Sequence, residues 1–307
     1  MLGVLIGFAI ICSVIAVGYV VEKVGVLGPE AQGVLTRTAF FVTTPCLLFS
    51  ELAHSNIAAL LTGYLAVSLI ACLSAFGGYV LISRLWFRRP VPETMVGAGA
   101  SSLVNINNIG LPVAIYVLGG TEYAIPVMLL QVVVLSPTLL TMLDITTSGH
   151  TSLRRILSQP LRNPMILGSL SGVILGLTRV PVPEEVLKPF AMIGGATIPL
   201  VLISFGMSLV GQRPLQAKEA RTEVLVASFL KLVAMPGIAW LLAAYVFHLQ
   251  GMELYAVVIC AALPTAQNIF NFSARYDRGV AVARDTVLVT TVLSIPLLIL
   301  IAALLAL

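Results

Sequence analysis

The run Asn105-Ile106-Asn107-Asn108-Ile109-Gly110-Leu111-Pro112 restricts what this chain can become more than any other stretch. It lies within an apolar segment of about residues 93–118, long enough to cross a membrane as a single helix. Side-chain amides, a glycine and a proline are unsuited to hydrocarbon. Pro112 has no backbone N–H, and its ring clashes with the carbonyl four residues back, which predicts a helix break near Ile109. Backbone groups freed by a break cannot face lipid; protein or a watery cavity must satisfy them. An interrupted membrane helix therefore points to a binding site.

The surrounding composition supports a membrane setting. The chain is 59% hydrophobic and 10% charged, with a mean hydropathy of +1.05. Its apolar segments run over about 2–21, 33–52, 57–83, 93–118, 123–144, 163–179, 188–210, 222–247, 252–275 and 280–305. Each matches the roughly 30 Å thickness of a hydrocarbon core. Little remains outside them, so no soluble domain and no nucleic-acid role is expected. The first segment has neither a basic leader nor a small-residue cleavage site, and reads as a retained helix. Cys12, Cys46, Cys72 and Cys260 all fall inside apolar segments without metal-ligand spacing. No metal or cofactor is expected.

The positive charges give an orientation. Loops after segments 1, 3, 5, 7 and 9 hold Lys23 and Arg37; Arg84, Arg88 and Arg89; Arg154, Arg155 and Arg162; Arg213, Lys218 and Arg221; and Arg275, Arg278 and Arg284. The opposite loops hold Arg179 and Lys188. The positive-inside rule then predicts ten crossings with both termini away from the cytoplasm, in the inner (cytoplasmic) membrane.

The two halves repeat. Segment 2 contains Thr44-Pro45 and segment 7 contains Ile198-Pro199. Asn108, Ile109, Tyr116 and Gly119 recur as Asn268, Ile269, Tyr276 and Gly279, each 160 residues later. Ser136-Pro137 in segment 5 answers Ser294-Ile295-Pro296 in segment 10. Five crossings per half make the second half enter from the opposite side, an inverted repeat typical of secondary transporters. Segment 9 carries its own interruption, Leu263-Pro264-Thr265-Ala266-Gln267-Asn268-Ile269-Phe270-Asn271. Two half-helix N-termini meeting near mid-membrane would suit a carboxylate. The alternative is that these Asn and Pro residues merely kink and join helices.

The ten segments, N-x-N-N-x-G-x-P in segment 4 and L-P-x-x-x-N-x-F in segment 9 together resemble the auxin efflux carrier family, which includes PIN-FORMED proteins and bacterial permeases for malate or malonate. The likeness covers essentially the whole chain. It implies an all-α crossover fold in which residues 1–55 and 163–212 form a scaffold, often dimeric. Residues 56–148 and 213–307 would form a transport domain moving like an elevator. It places substrate contacts on Asn105, Asn107, Asn108, Gln267, Asn268 and Asn271, with Pro45 and Pro199 facing them. Gly110, Pro112 and Pro264 would hold the breaks.

Lys231 is the most unusual ionisable residue, about ten residues into segment 8 and thus roughly 15 Å deep. A lysine there costs about 3 kcal/mol on insertion scales unless it faces a cavity or a partner. It would either neutralise an anionic substrate, stand in for a coupling cation, or bond the carbonyls of a broken helix. Asp144, Glu51 and Glu223 read as interfacial charges, with Asp144 kept as a candidate for coupling. His54, His150 and His248 fall in or near loops. Ser228 and Lys231 have the Ser-x-x-Lys spacing of serine–lysine hydrolases, so an intramembrane peptidase is one alternative. Gly168, Gly172 and Gly176 form a small-residue stripe for close packing within the chain or across a dimer. The expected protein is not an enzyme but a secondary transporter of a small organic anion; a passive anion channel is the other alternative. Expected partners are the carboxylate, membrane lipid and a second copy of the chain. The coupling ion (proton, sodium or none) stays open.

Overall fold

The protein is described by a computed structural model covering residues 2–53, 63–148, 163–178, 182–211, 215 and 217–305. The start of segment 3, His54, His150, Arg154, Arg155, Arg162, Arg179 and Arg213 lie outside the described residues. Helices α1 (Leu2–Val24), α2 (Ala31–Leu52) and α3 (Gly63–Phe87) come first. Next are α4 (Val91–Ser102), α5 (Ile106–Leu118), α6 (Thr121–Thr147) and α7 (Pro164–Thr178). The second half continues with α8 (Glu184–Ser208), α9 (Lys218–Val246), α10 (Gly251–Ala262), α11 (Asn268–Tyr276) and α12 (Val280–Leu305). Among the described residues, seven helices are long and apolar enough to cross a membrane: α1, α2, α3, α6, α8, α9 and α12. The shorter apolar helices are α5, α10 and the Pro164–Gly176 stretch of α7. This is the all-helical build of a multi-pass membrane protein. Its outer apolar side chains, such as Val17, Ile174, Leu225 and Leu300, are exposed because hydrocarbon can solvate them.

Two groups of helices pack mainly among themselves. In the first, α1 lies on α8, and α2 lies on both α7 and α8. Glycine makes these approaches possible. A Cβ at Gly18 would stand 2.2 Å from Ile203 O, and one at Gly206 would stand 2.0 Å from Ile15 O. The stripe on α7 meets the backbone of α2: Gly168 against Pro45, Gly172 against Phe49 and Gly176 against Leu52. Small residues here let backbones touch, the usual basis of helix association in lipid. The stripe is covered within the chain, so it is not available as a dimer face.

The second group contains α3, α4, α6 and α9–α12, packed around the inner ends of α4 and α10. Ile106, Leu111, Val257, Ile259 and Leu263 are buried there. At the edge of this group, Arg89 binds Glu223 through Nη2 at 2.7 Å and through Nε at 2.8 Å. Tyr79 Oη adds a longer bond of 3.4 Å to the other carboxylate oxygen. Hydrogen bonding to Glu223 raises the Arg89 guanidinium above its ordinary pKa. Glu223 is thus buried and paired, where an open interfacial charge was expected.

Candidate functional site

Segment 4 does break, but at Leu103–Asn105 rather than near Ile109. Leu103 turns extended, with φ −77° and ψ 135°, and α5 then runs through Pro112. The reason lies in the first turn of α5. Leu111 N–H bonds to Ile106 O and Gly110 N–H to Asn105 O at 3.0 Å, both i→i+5. This widened turn makes room for the ring that an ordinary α-turn would exclude. Pro112 is accommodated and does not make the break. Gly110 is helical too, at φ −64°; its missing side chain admits Leu263 of the other break, since a Cβ would stand 2.8 Å from Leu263 Cδ1. Pro264 does lie in its break, between α10 and α11.

The two extended stretches cross and pair. Val104 and Thr265 form an antiparallel β-bridge. Asn105 N–H donates to Pro264 O at 2.8 Å, and Ala266 N–H donates to Leu103 O at 2.9 Å. The remaining freed backbone groups are met by side chains from neighbouring helices. Gln131 on α6 accepts from Val104 N–H at 2.8 Å and donates to Val104 O at 2.9 Å. Thr290 on α12 accepts from Thr265 N–H at 3.1 Å, while Thr265 Oγ1 donates to Ala100 O at 2.6 Å. Lys231 Nζ donates to Ala261 O at 2.7 Å. Unpaired, each group would be costly in an apolar interior.

The amides cluster where the second half-helices begin. Asn105 Oδ1 accepts from Asn108 N–H, capping α5. Asn108 Nδ2 donates to Gln267 Oε1 at 2.8 Å, tying the start of α5 to the start of α11. Asn105 Nδ2 and Asn107 Oδ1 are buried without a hydrogen-bond partner. Asn107, Asn108, Gln267, Asn268 and Asn271 line one cavity of about 410 Å³, closed opposite by Gln32, Thr36, Arg37, Thr44, Val201 and Ser204. A second cavity of about 270 Å³ shares Gln32, Gln267 and Asn271 with it. The structure therefore brings together five of the six predicted amides in the cavity, with Asn105 buried just behind them.

Other expected site residues lie elsewhere. Pro45 packs on Gly168 and Pro199 is exposed on the outside of α8. Thr44 lines the cavity where Pro45 was expected, and Val201 and Ser204, further along α8, line it in place of Pro199. Lys231 is fully buried but does not line either cavity; it sits at the C-terminal end of α10, where a cation offsets the half-helix dipole. Asp144 accepts a hydrogen bond from Tyr276 Oη and so joins α6 to α11 away from the amides. Ser228 Oγ has no hydrogen-bond partner, so no Ser228–Lys231 dyad is formed.

Residues of α2 were missed. Gln32, Thr36 and Arg37 interrupt the apolar pattern at the start of that helix, a legible but weak signal. Thr36 and Ser204 share a 2.7 Å hydrogen bond between their hydroxyls, which no local pattern announces. Gln131 was also missed, though a glutamine inside an apolar helix is itself a signal.

An all-helical membrane fold with two paired backbone breaks beside a polar cavity fits a transport protein. The chain belongs to the membrane transport protein family, the auxin efflux carrier family, whose profile matches residues 4–302. It is 26% identical over 291 residues to an uncharacterised transporter of Methanothermobacter thermautotrophicus, covering 92% of this chain and 91% of that one. It is 21% identical over 292 residues to an uncharacterised transporter of Methanocaldococcus jannaschii, covering 93% and 94%. It is also 23% identical over 291 residues to a provisionally named malonate transporter of Rhizobium meliloti, covering 92% and 90%.

Proposed function

We propose that this protein is a secondary transporter of a small organic anion, with a carboxylate bound where α5 and α11 begin. The Asn108–Gln267 hydrogen bond carries the reading, because it joins the two half-helix starts at the wall of a polar cavity. Helix N-termini and unpaired amide donors favour an anion, and Asn105 Nδ2 is a buried donor awaiting a partner. The malonate assignment of the Rhizobium relative agrees with a carboxylate.

In this reading the chain makes ten crossings as a 5+5 inverted repeat, α4–α5 and α10–α11 each counting as one. Both termini lie outside the cytoplasm. Arg37, one of the basic residues expected on the cytoplasmic side, lines the cavity and supports an inward-facing state. The first packing group would be an α1–α2–α7–α8 scaffold, and the second, joined by α5, which touches both groups, the moving domain. The cavity lies between them, as alternating access by an elevator requires. A homodimer through lipid-facing scaffold side chains fits the same plan.

Purified protein should be stabilised against heat by a small carboxylate such as malonate, by mass action. The shift should vanish in Asn108→Ala. Proteoliposomes should show saturable counterflow with trans-stimulation. A wild type blind to every carboxylate, or a shift that survives Asn108→Ala, rules out the crossover site; ohmic currents without counterflow mean a channel.

A further inference from the structure

Arg284 stands on α12 with Val287, Leu288 and Thr291, spaced so that all share one helical face. That face walls the cavity of about 270 Å³ that shares Gln32, Gln267 and Asn271 with the amide-lined one. Arg284 is held in place. Its Nε donates to Asp285 Oδ1 at 2.8 Å, and Asp285 is fully buried. Asp285 Oδ2 accepts from Leu215 N–H at 3.0 Å, which anchors the carboxylate itself. Among the described residues no other nitrogen of Arg284 has a protein partner. Its side chain is 35% exposed. Further along the same wall, Thr291 Oγ1 is buried without a hydrogen-bond partner. No acidic side chain lines this cavity or its neighbour among the described residues.

We propose that this face of α12 is a second anion subsite, with Arg284 as its cation, selecting substrates that carry a second negative charge. The inference rests on the crossover reading: one carboxylate lies on the amides and the other reaches Arg284 past Gln267 and Asn271. A guanidinium suits the task because its planar fork pairs with a carboxylate through more than one N–H. Thr291 offers a hydroxyl to a polar atom of the same ligand. Asp285 is a positioning residue; it holds Nε and leaves the terminal nitrogens without a protein partner among the described residues. Leu288, Phe205 and Phe270 add apolar lining to the same cavity.

The test compares affinities for malonate, a dianion at neutral pH, and its monomethyl ester, a monoanion, in detergent or nanodiscs. Wild type should favour malonate by roughly ten- to a hundredfold, the range of one charge-assisted hydrogen-bonded pair. Arg284→Gln should bring the ratio close to one while leaving ester affinity nearly unchanged. Arg284→Lys should restore part of the preference, and Asp285→Asn should weaken it. Melting temperature and elution volume verify that each variant is folded. If folded Arg284→Gln keeps the wild-type ratio while Asn108→Ala loses both ligands, the subsite is wrong and the crossover site stands. If Asn108→Ala retains malonate and Arg284→Gln loses it, the crossover reading fails and this conclusion falls in its present form. If the wild type binds neither ligand, both readings fall.

Discussion

The Lys231 ammonium donates to the carbonyl of Ala261 at 2.7 Å, at the point where α10 stops. The cation belongs to the scaffolding of the break, with Met235 Sδ as its other neighbour at 3.4 Å.

Lys231→Leu removes that donor and strands a buried carbonyl, at a cost of about 1–3 kcal/mol. The melting temperature should fall, while malonate affinity in the folded fraction stays within a few-fold. The opposite pattern, unchanged melting with lost affinity, would put the ammonium in the substrate site.

Gln131 makes two hydrogen bonds to Val104, whereas Thr290 makes one to Thr265. Gln131→Leu leaves the Val104 N–H unpaired while its carbonyl keeps the Ile106 N–H, so it and Thr290→Val should each cost about 1–3 kcal/mol. Thermal unfolding of the two variants side by side gives the ratio. A much smaller loss for Gln131→Leu would mean that water replaces the glutamine.

Pro112 rides in a widened turn of a helix that is already formed. Pro112→Ala should therefore keep the break at Leu103–Asn105, and carboxylate affinity should remain within a few-fold of wild type. A loss as large as that of Asn108→Ala would make the proline part of the site after all.

Gly168→Ala drives a methyl group to 2.5 Å from Pro45 O and should destabilise by about 1–3 kcal/mol. Gly77 has nothing within 4 Å of an added Cβ, so Gly77→Ala should be neutral or slightly stabilising, by up to about 1 kcal/mol. Melting temperatures decide; a silent Gly168→Ala would mean that α7 and α2 can part.

Much of this was legible in the residues because lipid punishes exceptions. Asn105, Asn107, Asn108 and the amides near Asn268 stand out against an apolar background, and the 160-residue offset pairs Asn108 with Asn268. The position of the first break was not legible. Pro112 is the visible breaker, yet the chain departs from helix at Leu103 and Val104, which have no unusual chemistry. Their geometry is imposed by Pro264, Gln131 and Thr265 from distant segments. Pro45 and Pro199 misled for a similar reason: proline marks a kink but not which side of a helix faces a cavity. Arg284 looked like one more loop charge because nothing in the sequence tells that Asp285 beside it is buried.

The bridge between Val104 and Thr265 also binds the two breaks mechanically. Neither break can be drawn out alone without stripping the other of the donors and acceptors that keep its backbone from bare hydrocarbon. A chain pulled from one end should thus resist until this crossing gives way. It should then release α4–α5 and α10–α11 in a single rupture, with the two breaks behaving as one knot of force rather than two successive ones.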